Sequence, residues 1–391
     1  MTHRLCVLMI APQFRPLVGG YERAAERLSV ELVRLGQEVT VIAERRDRSW
    51  PAREQQDGVM VRRLRCIYRP GIHALSSLLS FAAFLLTRGW QYHVIHVHQY
   101  GYHAALAVLV GRMLKLPVVI KITSTGTQGI EQALAGEQKA PGLLAALHRK
   151  MDACIATTVE AQGEAVRFGI PQDRIRLIPN GIDTDFFKPC DTQGKTELKS
   201  RLGLGTSLTV LYSGRLSPVK NPEGLIEAWN AIYRDVPNAE LVLIGEGPLR
   251  KVLEDRVAAL GLNASVRLVG HQPDVLLWYQ AADIFILPSH REGLSNSLLE
   301  AMSCGLPVVS TRVSGCTDIF AESDIGEIVD VGDFHGLARA LGSLLTHHPT
   351  RRDSCGFRAR EFARTRFSIQ AVAEKTLALY ARLVEGGPRY S

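Results

Sequence analysis

At 391 residues, with 46% hydrophobic and 22% charged side chains, the chain has the composition of a soluble globular protein of about two domains, each able to bury its own core. Its longest apolar stretch, Ala74 to Leu86, holds three serines and falls well short of the roughly 20 residues a bilayer requires, which excludes a membrane span. The formal charge of +7 divides as +8 over residues 1–190 (24 Lys and Arg against 16 Asp and Glu) and −1 over residues 191–391 (22 against 23), so the basic surplus is all N-terminal.

The first half alternates strand and helix. Leu5 to Ile10 reads as a strand, Gly20 to Leu35 as a helix closed by Gly36, and Val39 to Ala43 as the next strand, a βαβ opening. Between the first two lies A-P-Q-F-R-P-L-V-G-G-Y-E. The pair Gly19-Gly20 lets backbone amides approach a ligand where a Cβ would collide, although a plain turn accounts for it equally. Arg45, Arg46, Arg48, Arg53, Arg62, Arg63, Arg65 and Arg69 follow. Solvated loops, an anionic membrane or a phosphorylated acceptor all suit such a cluster. Nucleic acid is the weakest partner, because no interleaved aromatics or binding motif accompany it.

Val94 to Val97 is a strand ending in H-V-I-H-V-H, with His96 and His98 on one face and His93 on the other. No third ligand stands at metal-site spacing, so these histidines read as polar residues at a sheet edge rather than a zinc site. The strand Val118 to Ile122 leads into T-S-T-G-T. Strand Ala153 to Thr157, helix Glu160 to Phe168 and strand Ile175 to Ile178 complete the half. After I-P-N-G-I-D-T-D-F-F-K-P, the run D-T-Q-G-K-T-E-L-K-S is polar and reads as a linker and hinge.

The second half restarts with the apolar strand Leu208 to Ser213, the loop G-R-L-S-P-V-K-N-P-E and a helix to about Asp235. Arg215 and Lys220 in that loop suit a diphosphate, the arginine as a planar fork and the lysine as a compact charge. Strand Leu241 to Gly245 opens G-E-G-P-L-R, which lacks the third glycine of a dinucleotide fingerprint and reads as a strand-to-helix turn. Strand Val266 to Val269 ends at Gly270-His271. Ile284 to Leu287, closed by Pro288, is a strand buried on both faces. A loop from Ser289 to Ser295 follows, then a helix that Ser295 can cap, ended by Gly305 and Pro307. Glu292 lies in the loop and Glu300 in the helix, and both can face one crevice at the carboxyl end of the sheet, where the amides of Gly293, Leu294 and Ser295 suit an anion. Taken alone, the pair also fits a loop charge and a solvated helix residue. Gly315 in V-S-G-C-T-D-I-F can bring backbone near a ligand, and helices Leu337 to Leu345, Ser354 to Phe367 and Ile369 to Val384 close the chain.

The stretch E-G-L-S-N-S-L-L-E-A-M-S-C-G-L-P-V-V, together with G-R-L-S-P-V-K-N, resembles the retaining glycosyltransferases of the GT-B fold, in particular glycosyltransferase family four (glycosyl transferases group 1). The resemblance implies an α/β protein with two Rossmann-like doubly wound domains facing across a cleft. Residues 1–187 would form the acceptor-side domain and 188–206 the linker. Residues 207–368 would form the nucleotide-sugar domain, and the C-terminal helix 369–391 would pack back on the first. In such enzymes Glu300 would grip the ribose of a nucleotide sugar, Glu292 would face the sugar and its phosphate, and Arg215 and Lys220 would hold the diphosphate. Gly214, Gly293, Leu294 and Ser295 would line the donor site, Gly19 and Gly20 would lie against the donor phosphates, and Gly270-His271 would meet the nucleobase. Many members carry a histidine where Thr123 or Ser124 stands here, and His98 and His103 are the candidates to replace it. Cys316 and Asp318 depart from a glycine and a glutamate.

The implied activity is retaining transfer of a hexose from a nucleotide diphosphate sugar, with uridine expected and GDP-mannose the alternative, to a glycan or lipid-linked acceptor in polysaccharide or glycoconjugate synthesis. No D-x-D motif occurs, which points to metal independence and no cofactor, with the leaving group stabilised by Arg215, Lys220 and a helix N-terminus. Cys6, Cys66, Cys154, Cys190, Cys304, Cys316 and Cys355 are odd in number and never in C-x-x-C spacing, and no signal peptide is evident, as expected of a cytosolic protein, peripheral at the inner face of the plasma membrane. A silent nucleotide- or glycan-binding protein of the same fold would not need both glutamates with both cations. An epimerase would differ in its carboxylates, and a dinucleotide oxidoreductase would need the missing glycine.

Overall fold

Runs of Val, Ile and Leu become the strands of two sheets in the computed structural model, which describes residues 4–16, 19–122, 141–346 and 349–386. The chain divides into two units, Met1–Gly181 with Ile369–Ser391, and Ile182–Ser368. In the first unit the strands are β1 (Cys6–Ile10), β2 (Glu38–Arg45), β3 (Arg53–Gln56), β4 (Val59–Arg65), β5 (Val94–Val97), β6 (Val118–Ile122), β7 (Ala153–Ala156) and β8 (Ile175–Leu177). They stand in the order β3-β4-β2-β1-β5-β6-β7-β8, parallel except for β3 against β4. Helices Gly20–Arg34 and Ile369–Glu385 cover one face through Leu28, Leu32, Val372 and Tyr380. Helices His73–Arg88, Tyr102–Leu114 and Val159–Arg167 cover the other. Central strands buried on both faces have no polar alternation to show, which is why β1 reads as a continuous apolar run.

The second unit holds β9 (Leu208–Ser213), β10 (Ala239–Ile244), β11 (Val266–Gly270), β12 (Ile284–Leu287), β13 (Val308–Thr311) and β14 (Gly326–Val329), all parallel, in the order β11-β10-β9-β12-β13-β14. Helices Pro222–Ile232, Arg250–Ala259 and Phe334–Thr346 pack on one face, and Leu276–Ala281, Asn296–Ser303, Ser314–Glu322 and Pro349–Arg366 on the other. The strand order reverses between β1 and β5 in the first unit and between β9 and β12 in the second. In a doubly wound sheet these are the two points where loops part and leave room for a ligand. No helix among the described residues is long and apolar enough to cross a membrane.

Three sequence expectations need correction. The arginines 53, 62, 63 and 65 are not loop residues but lie on β3 and β4, a hairpin closed by Asp57-Gly58, both at positive φ (51° and 80°) as a tight turn requires. Arg63 points inward and is buried, bonded to Glu54 and to the carbonyls of Arg15 (2.7 Å) and Pro51 (3.2 Å). Arg45 is likewise occupied, by the carbonyls of Trp50 and Arg48 at 2.7 Å each. The basic cluster is therefore not one free surface. The expected linker 188–206 carries a helix, Thr192–Leu202, that belongs to the second unit. His96 and His98 do not sit at an open edge: both are fully buried.

The helix Thr192–Leu202 is held down by Asp283, whose Oδ1 accepts from Lys195 Nζ (2.7 Å) and whose Oδ2 accepts from Lys199 Nζ (2.6 Å) and the Thr209 amide (2.8 Å). Burial works against the charge on Asp283, but the Lys195 and Lys199 ammonium groups outweigh it and hold the carboxyl below the usual range. A depressed carboxyl contributes stability that is complete above the ordinary pKa of about 4 and is lost as pH falls through the folded value. Asp283→Ala is expected to lower urea stability by about 2 kcal/mol at pH 7, since it strands the buried Lys199. The difference from wild type should shrink in acid below about pH 4. An equal deficit at pH 3 and pH 7 would show that packing, not charge, is lost.

Candidate active site

Because β9 and β12 are neighbours, with Ile284 opposite Val210, the loops that leave them lie side by side. They are laced together by backbone: the His290 amide donates to the Val219 carbonyl (2.9 Å), and Asn221 Nδ2 donates to the Pro288 carbonyl (3.1 Å). Asn221, at φ 52°, also accepts the Gly224 amide and so caps the helix Pro222–Ile232. Lys220 Nζ donates to Glu292 Oε1, an oxygen that also accepts from Ser289 Oγ at 3.1 Å. Ser289 is fixed in turn by Thr311, whose hydroxyl donates to its carbonyl. A lysine and a glutamate far apart in sequence are thus one ion pair, mostly withdrawn from water.

Arg215 is exposed, and its side chain makes no ion pair among the described residues. Its backbone is held by the Tyr212 hydroxyl, which donates to the Arg215 carbonyl at 2.9 Å. The turn G-E-G buttresses the same loop. A Cβ on Gly245, at φ 137°, would strike the Gly214 carbonyl, and one on Gly247 would strike the Leu216 backbone. Leu216 donates to the Glu246 carbonyl (3.0 Å) and accepts from the Leu249 amide (3.1 Å). These glycines therefore serve close packing beneath Arg215.

Glu300 is buried, and the hydroxyl of Tyr279 donates to its Oε2 at 3.0 Å. Burial and then the Glu300 carboxylate hold the Tyr279 hydroxyl well above its ordinary pKa, so it stays a donor, and a hydrogen bond also relates it to Ser213 at the end of β9. Sequence reading missed Tyr279, Ser289 and Asn221. Within L-L-W-Y-Q-A the tyrosine looks like one more apolar helix residue, and no local signal sets it apart.

Ser295 occupies the cap position of the helix Asn296–Ser303, but its hydroxyl lies 3.0 Å from that of Ser297 rather than on a first-turn amide. Gly293 and Leu294 precede it, and Gly315 packs on them: a Cβ there would meet Leu294 Cα at 2.9 Å, and its amide donates to the Gly293 carbonyl at 3.1 Å. Cys316 is buried with Ser310 Oγ at 3.0 Å from its sulfur. At the end of β11 the Gly270 carbonyl accepts from the Gly245 amide (2.9 Å), while the His271 amide donates to Glu246 Oε1 (3.3 Å). Both backbone groups already have protein partners.

In the first unit Gly19 caps the helix that Gly20 opens, with extended backbone. A Cβ on Gly19 would collide with the carboxylate of Glu22, a buried group whose carboxyl is pushed up by that burial. His98 stacks on His96 at 4.2 Å between ring centroids, and neither of its ring nitrogens has a hydrogen-bond partner among the described residues. Burial, then the nearby His96 and Lys121, hold it neutral, well below the usual imidazole range. His103 belongs to the first turn of Tyr102–Leu114. Its Nε2 lies 2.9 Å from Ser77 Oγ, which donates to the buried Glu44 at 2.7 Å. Thr123 lies outside the described residues.

Two family descriptions match the chain: Glycosyl transferases group 1 over residues 194–362, and Glycosyl transferase 4-like domain over residues 19–181. The chain is similar to the GDP-mannose-dependent alpha-(1-6)-phosphatidylinositol monomannoside mannosyltransferase of Mycolicibacterium smegmatis, 30% identical over 372 residues that cover 91% of this chain and 93% of that one. It is also similar to the D-inositol 3-phosphate glycosyltransferase of Xylanimonas cellulosilytica, 33% identical over 249 residues, 61% of this chain and 58% of that one. Among solved structures, the Anabaena Alr3699/HepE complex with UDP and glucose superimposes with a TM-score of 0.80 at 18% identity, covering 97% of this chain and all of that one. The sucrose-phosphate synthase of Thermosynechococcus elongatus does so with a TM-score of 0.80 at 24% identity, covering 98% of this chain and all of that one. At such identities these two structures speak for the GT-B fold alone.

Proposed function

We propose, from the premise that this chain belongs to the glycosyl transferases group 1 family and is a glycosyltransferase of GT-B fold, that it moves a hexose from a nucleotide diphosphate sugar to a glycan or lipid-linked acceptor with retention of anomeric configuration. The observation that carries the reading is the convergence of Arg215, Lys220 and Glu292 on the two loops that part at the β9/β12 switch point, with Glu300 on the helix just behind. The ribose hydroxyls would donate to the Glu300 carboxylate, which Tyr279 keeps in place. The diphosphate would take Arg215 and Lys220, the lysine exchanging Glu292 for phosphate oxygen. As the bond from the anomeric carbon to phosphate oxygen breaks, both cations meet the growing charge without help from a metal. Departure and attack on the same face let that phosphate oxygen accept the acceptor proton as the new glycosidic bond forms. This requires no side-chain base, and the buried, neutral His98 and the hydrogen-bonded His103 support such a route.

The expected donor base was uridine, whereas the full-length relative from Mycolicibacterium is named for GDP-mannose. Thermal unfolding with each diphosphate decides between them: a ligand at ~100 times its Kd adds about 2.7 kcal/mol of stability. The cognate diphosphate should raise Tm clearly and the other little. No shift with either would overturn the donor site. Release of free diphosphate only when acceptor is present would separate a transferase from a silent binding protein. The positive surplus of residues 1–190 further supports peripheral docking at an anionic membrane, where a lipid-linked acceptor would be met.

A further inference from the structure

The helix His73–Arg88 is apolar over most of its circumference, with Ser76, Ser80 and Thr87 on the remaining side. Its inner face buries Phe81, Phe84 and Leu85 against the first sheet. Its outer face, where a helix packed on a sheet ordinarily turns polar, exposes Leu75 (60%), Leu79 (63%) and Leu86. Ile72 before the helix and Trp90 (69%) after it continue the line, at the three- and four-residue steps that keep side chains on one side of a helix. The neighbouring helix Tyr102–Leu114 packs beside it and exposes Leu109 and Met113, one turn apart. Exposed apolar patches of this kind mark a surface that something covers.

Charge says what the cover is. Residues 58–130 contain no Asp or Glu and eight Lys or Arg. Arg65 and Arg69 stand exposed before the stripe, Arg88 stands exposed at its end, and Lys115 follows the second helix, also exposed. A protein partner would need an apolar groove rimmed by acid. An anionic bilayer supplies both parts at once, hydrocarbon for the leucines and lipid phosphate for the cations, with Trp90 at the level where indoles settle.

We infer that the helices His73–Arg88 and Tyr102–Leu114 form a membrane-docking face that lies in the headgroup region of an anionic bilayer, with Leu75, Leu79, Leu86 and Trp90 inserted and Arg69 and Arg88 on lipid phosphates. This deepens the peripheral-membrane part of the function proposed above and rests on it. The stripe begins beside His73 and Ser77, which bond to Glu44 at the carboxyl edge of the first sheet, so a headgroup-borne acceptor would arrive next to that edge without leaving the membrane.

The test is flotation of the full chain with vesicles of phosphatidylcholine alone or mixed with phosphatidylglycerol. Wild type should float with the mixed vesicles and less so at high salt. Leu75→Ser with Leu79→Ser should lower the affinity for mixed vesicles by about a hundredfold, as loss of two inserted leucines implies. Arg69→Gln with Arg88→Gln should weaken binding to mixed vesicles only. Thermal stabilisation by the cognate nucleoside diphosphate should be unchanged in both variants, which shows that they are folded. Equal flotation of wild type and the serine variant, or none by wild type, would overturn the inference. So would a concentration-dependent dimer that the serine variant dissolves, since a second copy would then cover the stripe. Vesicle binding without any nucleotide stabilisation would leave this face standing and remove the donor site instead.

Discussion

Lys220→Ala is expected to lower kcat by about 10² to 10³ while changing the donor KM little, the loss seen when one preorganised donor to a developing oxyanion is removed. Negative charge gathers on the leaving diphosphate only as the anomeric bond breaks, so a cation aimed there acts more strongly in the transition state than before it. Arg215→Ala should show a loss of the same order. The structure separates the two residues in one respect. Lys220 is paired with Glu292, so its removal also leaves a mostly buried carboxylate facing the phosphates, whereas Arg215 has no such partner among the described residues. Glu292→Gln should therefore restore part of the activity lost in Lys220→Ala and none of that lost in Arg215→Ala, a non-additivity read by a double-mutant cycle. Steady-state kinetics with and without EDTA check this. Normal kcat in Lys220→Ala, or abolition of wild-type turnover by EDTA, would mean that a metal stabilises the leaving group.

Glu300→Ala should act on binding: the donor KM is expected to rise by about 100-fold with kcat held within a few-fold, as loss of a charged hydrogen-bond acceptor implies. A ribose is gripped equally before and during reaction, so the interaction is uniform and appears in KM. The buried setting makes alanine harsher than glutamine, because alanine also removes the acceptor that the Tyr279 hydroxyl meets at 3.0 Å and leaves it only Ser213. Tyr279→Phe should raise KM by a smaller factor, since the carboxylate stays and loses only the bond from Tyr279. A fall in kcat at unchanged KM for Glu300→Ala would place this carboxylate at the reacting carbon instead.

Local chemistry decided a good part of this protein. Apolar runs closed by Gly or Pro mark most strands, and the eight-residue step from Glu292 to Glu300 suits a loop and a helix carboxylate at one sheet edge. Patterns of that kind depend only on near neighbours along the chain, where strand and helix periods act. The Asp57-Gly58 turn is equally local, a two-residue hairpin signal set among arginines whose charge masks the strand pairing on either side. What depended on distant residues was beyond reach. That Lys220 reaches Glu292, that Tyr279 holds Glu300, that Asp283 turns a polar stretch into a docked helix, and that His98 is sealed from water all follow from strand order, in particular from β12 lying beside β9 and β5 beside β1. Strand order is set by which layers bury the most apolar surface together, a property of the whole sheet that no single stretch of sequence carries.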